Sequence, residues 1–123
     1  MTPPSRRLVV KVTSGPEAPE RLSQAVTVAA TAVASGVPVS LWLTGEASWL
    51  AVPGRAVEVV LAHAAPLAEL RDLLLTSARV TVCTQCAARR DLTAADLLPG
   101  AEIRGAAAFV EEVLQDDAQA LVY

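Results

Sequence analysis

Two periodicities alternate along this chain. Residues 8–12 (LVVKV) are a short apolar run ending in Thr-Ser-Gly-Pro, the pattern of a buried strand and a turn. Residues 16–35 predict a helix. Pro16 suits its first turn, Glu17 and Glu20 suit the positive end of the dipole, and Gly36 is a stop. The middle of that helix is apolar nearly all round, which predicts burial on two sides. Residues 37–44 (VPVSLWLT) predict a second strand closed by Gly45, with Pro38 tolerated at its start. Residues 46–50 read as a helical turn and 57–61 as extended chain or a short strand. Residues 66–77 (PLAELRDLLLTS) read as an amphipathic helix and 79–83 (RVTVC) as the third strand. A short helix is expected from Cys86 to Arg90. After the break at Pro99-Gly100 come a brief strand at 102–103, a helix over 105–115 and a terminal strand at 120–123. Strands alternating with helices predict a mostly parallel sheet with helices on both faces.

Composition narrows what such a sheet can do. The 123 residues suffice for one domain with a single core, and 1–6 read as a flexible tail. Ala, Val and Leu dominate, and the aromatic residues are Trp42, Trp49, Phe109 and Tyr123. A net charge of −3 argues against a nucleic-acid surface, and the pairs Arg6-Arg7 and Arg89-Arg90 do not extend into a patch. No segment approaches the roughly 18 unbroken apolar residues of a membrane span. The opening Met-Thr-Pro-Pro-Ser-Arg-Arg lacks the apolar stretch of a signal peptide, so the expected setting is the cytoplasm.

The chemistry concentrates at Cys83-Thr84-Gln85-Cys86, which holds both cysteines of the chain. A strand that ends in a cysteine and turns into a helix puts that thiol at the C-terminal edge of the sheet, where open α/β sheets do their chemistry. A helix start there favours the thiolate, the reactive form. Four readings compete. A zinc half-site lacks ligands, because only His63 accompanies the two thiols. A thioredoxin-like dithiol normally lies earlier in the chain and follows an aromatic residue. The third reading is one reactive thiol with an assisting neighbour, and the fourth is two cysteines that simply pack. No metal or other cofactor is expected.

The stretch from Val80 to Arg90 resembles the active-site segment of the DsrE/DsrF-like proteins, which include the TusD subunits of sulfur relays. In those chains an apolar strand ends in cysteine, a small-residue turn follows, and Arg-Gly or Arg-Arg-Gly comes six to seven residues later. Residues 9–15, 37–45, 103–114 and 120–123 resemble the family's opening strand and turn, second strand, closing helix and terminal strand. Asp91 departs from the pattern, standing where the family usually has Gly.

The resemblance implies a five-stranded α/β/α sandwich, a homo-oligomer such as a trimer or hexamer, and donor and acceptor proteins for sulfur. It places the persulfide-forming cysteine at Cys83. Cys86 is then a candidate resolving thiol, or a small buried residue. Arg89 and Arg90 are candidates to act on the thiol or its substrate, or form a solvated helix face. Trp49 is a candidate pocket residue, or part of a core or interface. His63 is a candidate base if 57–61 is a strand, or an ordinary loop residue. A chain more than half apolar also points to an oligomer. The rival function is a non-catalytic binding or redox-sensing module of the same fold; a thiol oxidoreductase is a third.

Overall fold

The computed structural model describes residues 6–123. Five parallel strands make one sheet: β1 (Arg7–Val12), β2 (Val39–Leu43), β3 (Arg79–Cys83), β4 (Ala101–Arg104) and β5 (Ala118–Val122). They lie side by side in the order β4-β3-β2-β1-β5. Helices α1 (Pro19–Ala34), α2 (Leu67–Ser77), α3 (Thr84–Arg89) and α4 (Ala106–Val113) connect them. The chain steps one way from β1 to β4 and then returns across the sheet to β5. Right-handed crossovers therefore put α1 and α2 on one face and α4 on the other. This is the expected three-layer sandwich.

The first strand is closed by the last. Arg7 N–H donates to Asp117 O at 2.9 Å, and Thr13 Oγ1 donates to Tyr123 O, 110 positions away, at 2.7 Å. Most of the expected tail lies outside the described residues. Arg6 is described, and its guanidinium donates to Gln119 Oε1 at 3.3 Å.

Strand alternation separates two unlike faces. Leu8, Val10 and Val12 stand in register with Val39, Leu41 and Leu43, and Leu41 and Leu43 with Val80 and Val82. These aliphatic rows pack under Leu22, Ala25, Val26 and Ala29 of α1 and Leu67 and Leu74 of α2. Alanines let α1 lie close to the sheet, and each fully buried Leu or Val contributes about 1.5–3 kcal/mol. The opposite face carries Val9, Lys11, Ser40, Trp42, Thr81 and Arg104, with α4 laid across it. Phe109 of α4 meets Trp42 edge-on, with centroids 5.3 Å apart.

Several boundaries differ from expectation. Helix α1 begins at Pro19, not Pro16, because Glu17 folds back to accept Gly15 N–H at 2.9 Å and Ala18 N–H closes a turn on Gly15 O. It is buried toward the sheet and α2 but leaves Thr27 and Thr31 exposed. Residues 57–61 form no strand. A 3₁₀ turn at Ala56–Glu58 leads into irregular chain, with Val57 and Val60 left 67% and 87% exposed. Both sides of β2 are already taken, by β1 and β3, so this segment has no slot beside the strand it follows. Helix α3 starts at Thr84 rather than Cys86, and β5 starts at Ala118 rather than 120.

Candidate functional site

Strand β3 carries Cys83 to the C-terminal edge of the sheet. Its backbone (φ −63°, ψ 134°) ends the strand and makes it the residue that precedes the first turn of α3. The thiol is half-buried. Cys86, the third residue of α3, is 8% exposed, and both thiols are free. The early start of α3 thus puts the cysteines at the cap position and three residues into the helix, on successive levels of one turn.

Cys86 has a partner that sequence reading missed. Its Sγ accepts the N–H of Gly45 at 3.2 Å. Gly45 opens a 3₁₀ strap, Gly45–Ala51, that leaves the end of β2 and crosses beside α3. Its φ is +54°, and a Cβ there would lie 2.8 Å from Thr13 O, so only glycine fits. The strap also rests on Gly15, where a Cβ would lie 2.3 Å from Glu46 O.

Glu46 ties the strap to the cysteine helix. Its Oε1 accepts from Arg90 Nη2 at 2.8 Å and its Oε2 from Trp49 Nε1 at 3.1 Å. Arg90 Nη1 donates to Cys86 O at 3.0 Å. Arg55 lies over the Trp49 ring, 4.3 Å from its centroid. The Arg90 hydrogen bond holds the Glu46 carboxyl below the usual carboxylate range, against a smaller opposing effect of burial. Arg90 and Trp49 are therefore joined through a carboxylate, while Arg89 points out from α3 and is exposed.

Helix α3 ends in a Schellman turn. Leu92 N–H returns to Ala87 O at 2.9 Å and Asp91 N–H to Ala88 O at 3.2 Å, with Asp91 at φ 53°. Asp91 occupies the left-handed position that glycine fills by default, a conformation Asp tolerates better than most residues.

On the α4 face, Cys83 stands in register with Arg104. Arg104 turns down the sheet, donating to Thr81 Oγ1 at 2.7 Å and pairing with Glu112 Oε2 at 2.7 Å. Its guanidinium lies over Trp42, 4.8 Å from the centroid, and Lys11 Nζ lies 5.0 Å from that of Phe109. The Arg104–Glu112 pair is largely buried, with side-chain exposures of 17% and 10%.

His63 lies elsewhere. It is exposed at φ 59° in the loop before α2 and lines a groove with Gln24, Thr27 and Thr31 of α1. None of the residues of the cysteine turn lines that groove. The strand that motivated His63 as a base does not form. Among the described residues, no three His, Cys, Asp or Glu side chains gather to hold a metal. No described helix is long and apolar enough to cross a membrane.

The DsrE/DsrF-like family model matches residues 6–120. No curated protein sequence matches the chain significantly. Among solved structures, the chain is similar to the ychN protein from E. coli, with a TM-score of 0.79 and 18% identity over 96% of this chain and 99% of that one. It is also similar to MTH1491 from Methanobacterium thermoautotrophicum, described as a protein of unknown function. There the TM-score is 0.67 and the identity 12%, over 97% of this chain and all of that one. At these identities the likeness is one of fold.

Proposed function

The chain belongs to the DsrE/DsrF-like family, and from that premise we propose that it is a sulfur carrier that holds sulfane sulfur as a persulfide on Cys83. The observation that supports this reading is the placement of Cys83. It is a partly exposed free thiol at the C-terminal edge of a parallel sheet, where a strand gives way to a helix. The Cys83 thiolate attacks the outer sulfur of a donor persulfide. A new S–S bond forms to Cys83, the bond between the donor's two sulfurs breaks, and the donor leaves as a thiolate. An acceptor thiolate removes the sulfur by the same step.

Cys86 supplies a second outcome. Its thiolate attacks the inner sulfur of the Cys83 persulfide, expels hydrosulfide and leaves an internal disulfide. Arg90 and Trp49 shape the edge of the site through Glu46, and Arg89 offers an exposed cation to an incoming donor. His63 has no part in this reading. The protein works in the cytoplasm with donor and acceptor proteins and as a homo-oligomer. Exposed Val110 on α4, Leu114 just past its end and Val122 on β5 support an interface on that side. The second reading, a non-catalytic binding module of the same fold, is favoured by one observation: Cys86 is buried and already engaged by Gly45 N–H.

Mass spectrometry separates the two. After treatment with a sulfane-sulfur donor, wild type and Cys86→Ser gain the mass of one sulfur and Cys83→Ser does not. If no donor adds sulfur to any of the three, the binding module is the better description.

A further inference from the structure

We propose that Glu46 is a positioning residue for the cysteine pair: through Arg90 it fixes the Gly45–Ala51 strap on α3, keeps Gly45 N–H on the Cys86 sulfur, and so holds the pair in its dithiol form. The proposal deepens the reading above and rests on Cys83 being the reactive thiol.

The argument starts from the cost of closing the pair. Cys83 stands at the cap of α3, outside the helix, and Cys86 is the third residue inside it. A disulfide between them needs their Cβ atoms about 3.5–4.5 Å apart. Closure draws Cys86 Sγ toward Cys83 and away from the Gly45 N–H that it now accepts. On that account the N–H···S hydrogen bond of 3.2 Å is made in the dithiol state and given up on closure. Closing the disulfide strands the Gly45 N–H in a partly buried place, which is unfavourable. Whatever holds that amide in place favours the open pair.

Glu46 is the next residue along, and both its carboxylate oxygens are engaged. Arg90 uses one Nη on Glu46 and the other on the carbonyl of Cys86 itself. Its Nε is buried without a partner, so those two bonds orient the guanidinium. A single side chain thus links the strap to the backbone of the buried cysteine. On its other flank the strap bears on Gly15, leaving it no room to settle inward. Without the Glu46–Arg90 tie, the amide is free to drift from the sulfur and the disulfide becomes easier to form.

The test uses the full chain equilibrated in mixtures of reduced and oxidised dithiothreitol. Two electrons and two protons pass from Cys83 and Cys86 to the reagent disulfide, which becomes the dithiol. Alkylation and mass spectrometry count the closed fraction. Glu46→Ala raises the equilibrium constant for closure by about 3-fold, equivalent to about 14 mV for a two-electron couple, the scale of a half-exposed ion pair. Glu46→Gln keeps an oxygen for Arg90 and shifts it less, which also guards against a variant that fails to fold. Asp72→Ala, a surface acid on α2, leaves it unchanged. On protein loaded with sulfur, Glu46→Ala releases hydrosulfide faster than wild type, and adding Cys86→Ser removes the difference. An unchanged potential in both Glu46 variants, or a wild type that never closes, overturns the positioning role whether or not sulfur loads. A shifted potential in a protein that no donor can load overturns the sulfur-carrier reading and leaves the positioning role standing.

Discussion

The two faces of the sheet are built on opposite principles. Under α1 and α2 the residues are aliphatic, small and interchangeable in kind, and the contacts are non-directional. Under α4 they are few, large and paired: Trp42 with Phe109, Arg104 with Glu112 and Thr81. The first face supplies most of the burial. The second supplies geometry, because charges and ring edges tolerate little displacement. Cys83 belongs by register to the second face, whereas Cys86 reaches the strap at the end of β2. The two thiols thus answer to different neighbourhoods.

If that division is right, the largest effect belongs to the aliphatic face. Leu41, 1% exposed at the centre of the sheet, should cost about 2–5 kcal/mol on replacement by Ala, measured by urea unfolding. A loss under about 1 kcal/mol would erase the distinction between the faces.

A smaller but more diagnostic effect is expected under α4. Arg104→Met leaves Glu112 buried without its cation and should cost about 1–3 kcal/mol. Replacing both, Arg104→Met with Glu112→Leu, should recover at least half of that loss. Additive losses in the double variant would show that the pair acts through packing rather than charge.

The smallest effect sits at the sheet's edge. Arg79 donates to Glu102 at 2.6 Å, and that bond holds the Glu102 carboxyl below its usual range. A carboxyl lowered in the folded state adds stability above the ordinary carboxylate range, and that stability disappears as pH falls through the lowered value. Because Glu102 is 44% exposed, Glu102→Gln should cost under about 1 kcal/mol at neutral pH, less in high salt. The gap to wild type should close on acidification. A gap that widens instead would mean that the edge pair opposes folding.

How much of this was readable beforehand depended on how local the cause was. Residues 79–83 announce a buried strand ending in a thiol, and Gly36 and Pro99-Gly100 punctuate the chain where it turns. The N-cap position of Cys83 was missed by two residues because cysteine is not a usual cap and the nearest start signal, Thr84, already lies inside the helix. Glu46 and Arg90 are 44 positions apart and Arg104 and Thr81 23 apart, so no spacing pattern joins them. Residues 57–61 have the composition of a strand, yet whether a strand forms is settled by a free place in the sheet, which is a property of the whole order. The apolar run of α1 concealed its own boundary, since Glu17 serves the preceding turn instead of the helix dipole.

The strand order also dictates a timetable. β1 emerges first, but one of its two partners is β5, and the bonds that clamp this closure join Thr13 to Tyr123 and Arg7 to Asp117. Until β5 has been synthesised, β1 presents an unpaired, apolar edge of the kind that invites pairing with other chains. The segments between can gather on α1 and α2 early, because those contacts span shorter loops. The final closure is a long-range parallel pairing, the slow kind. A nascent chain of this protein therefore carries its oldest strand short of one partner until the youngest has been made.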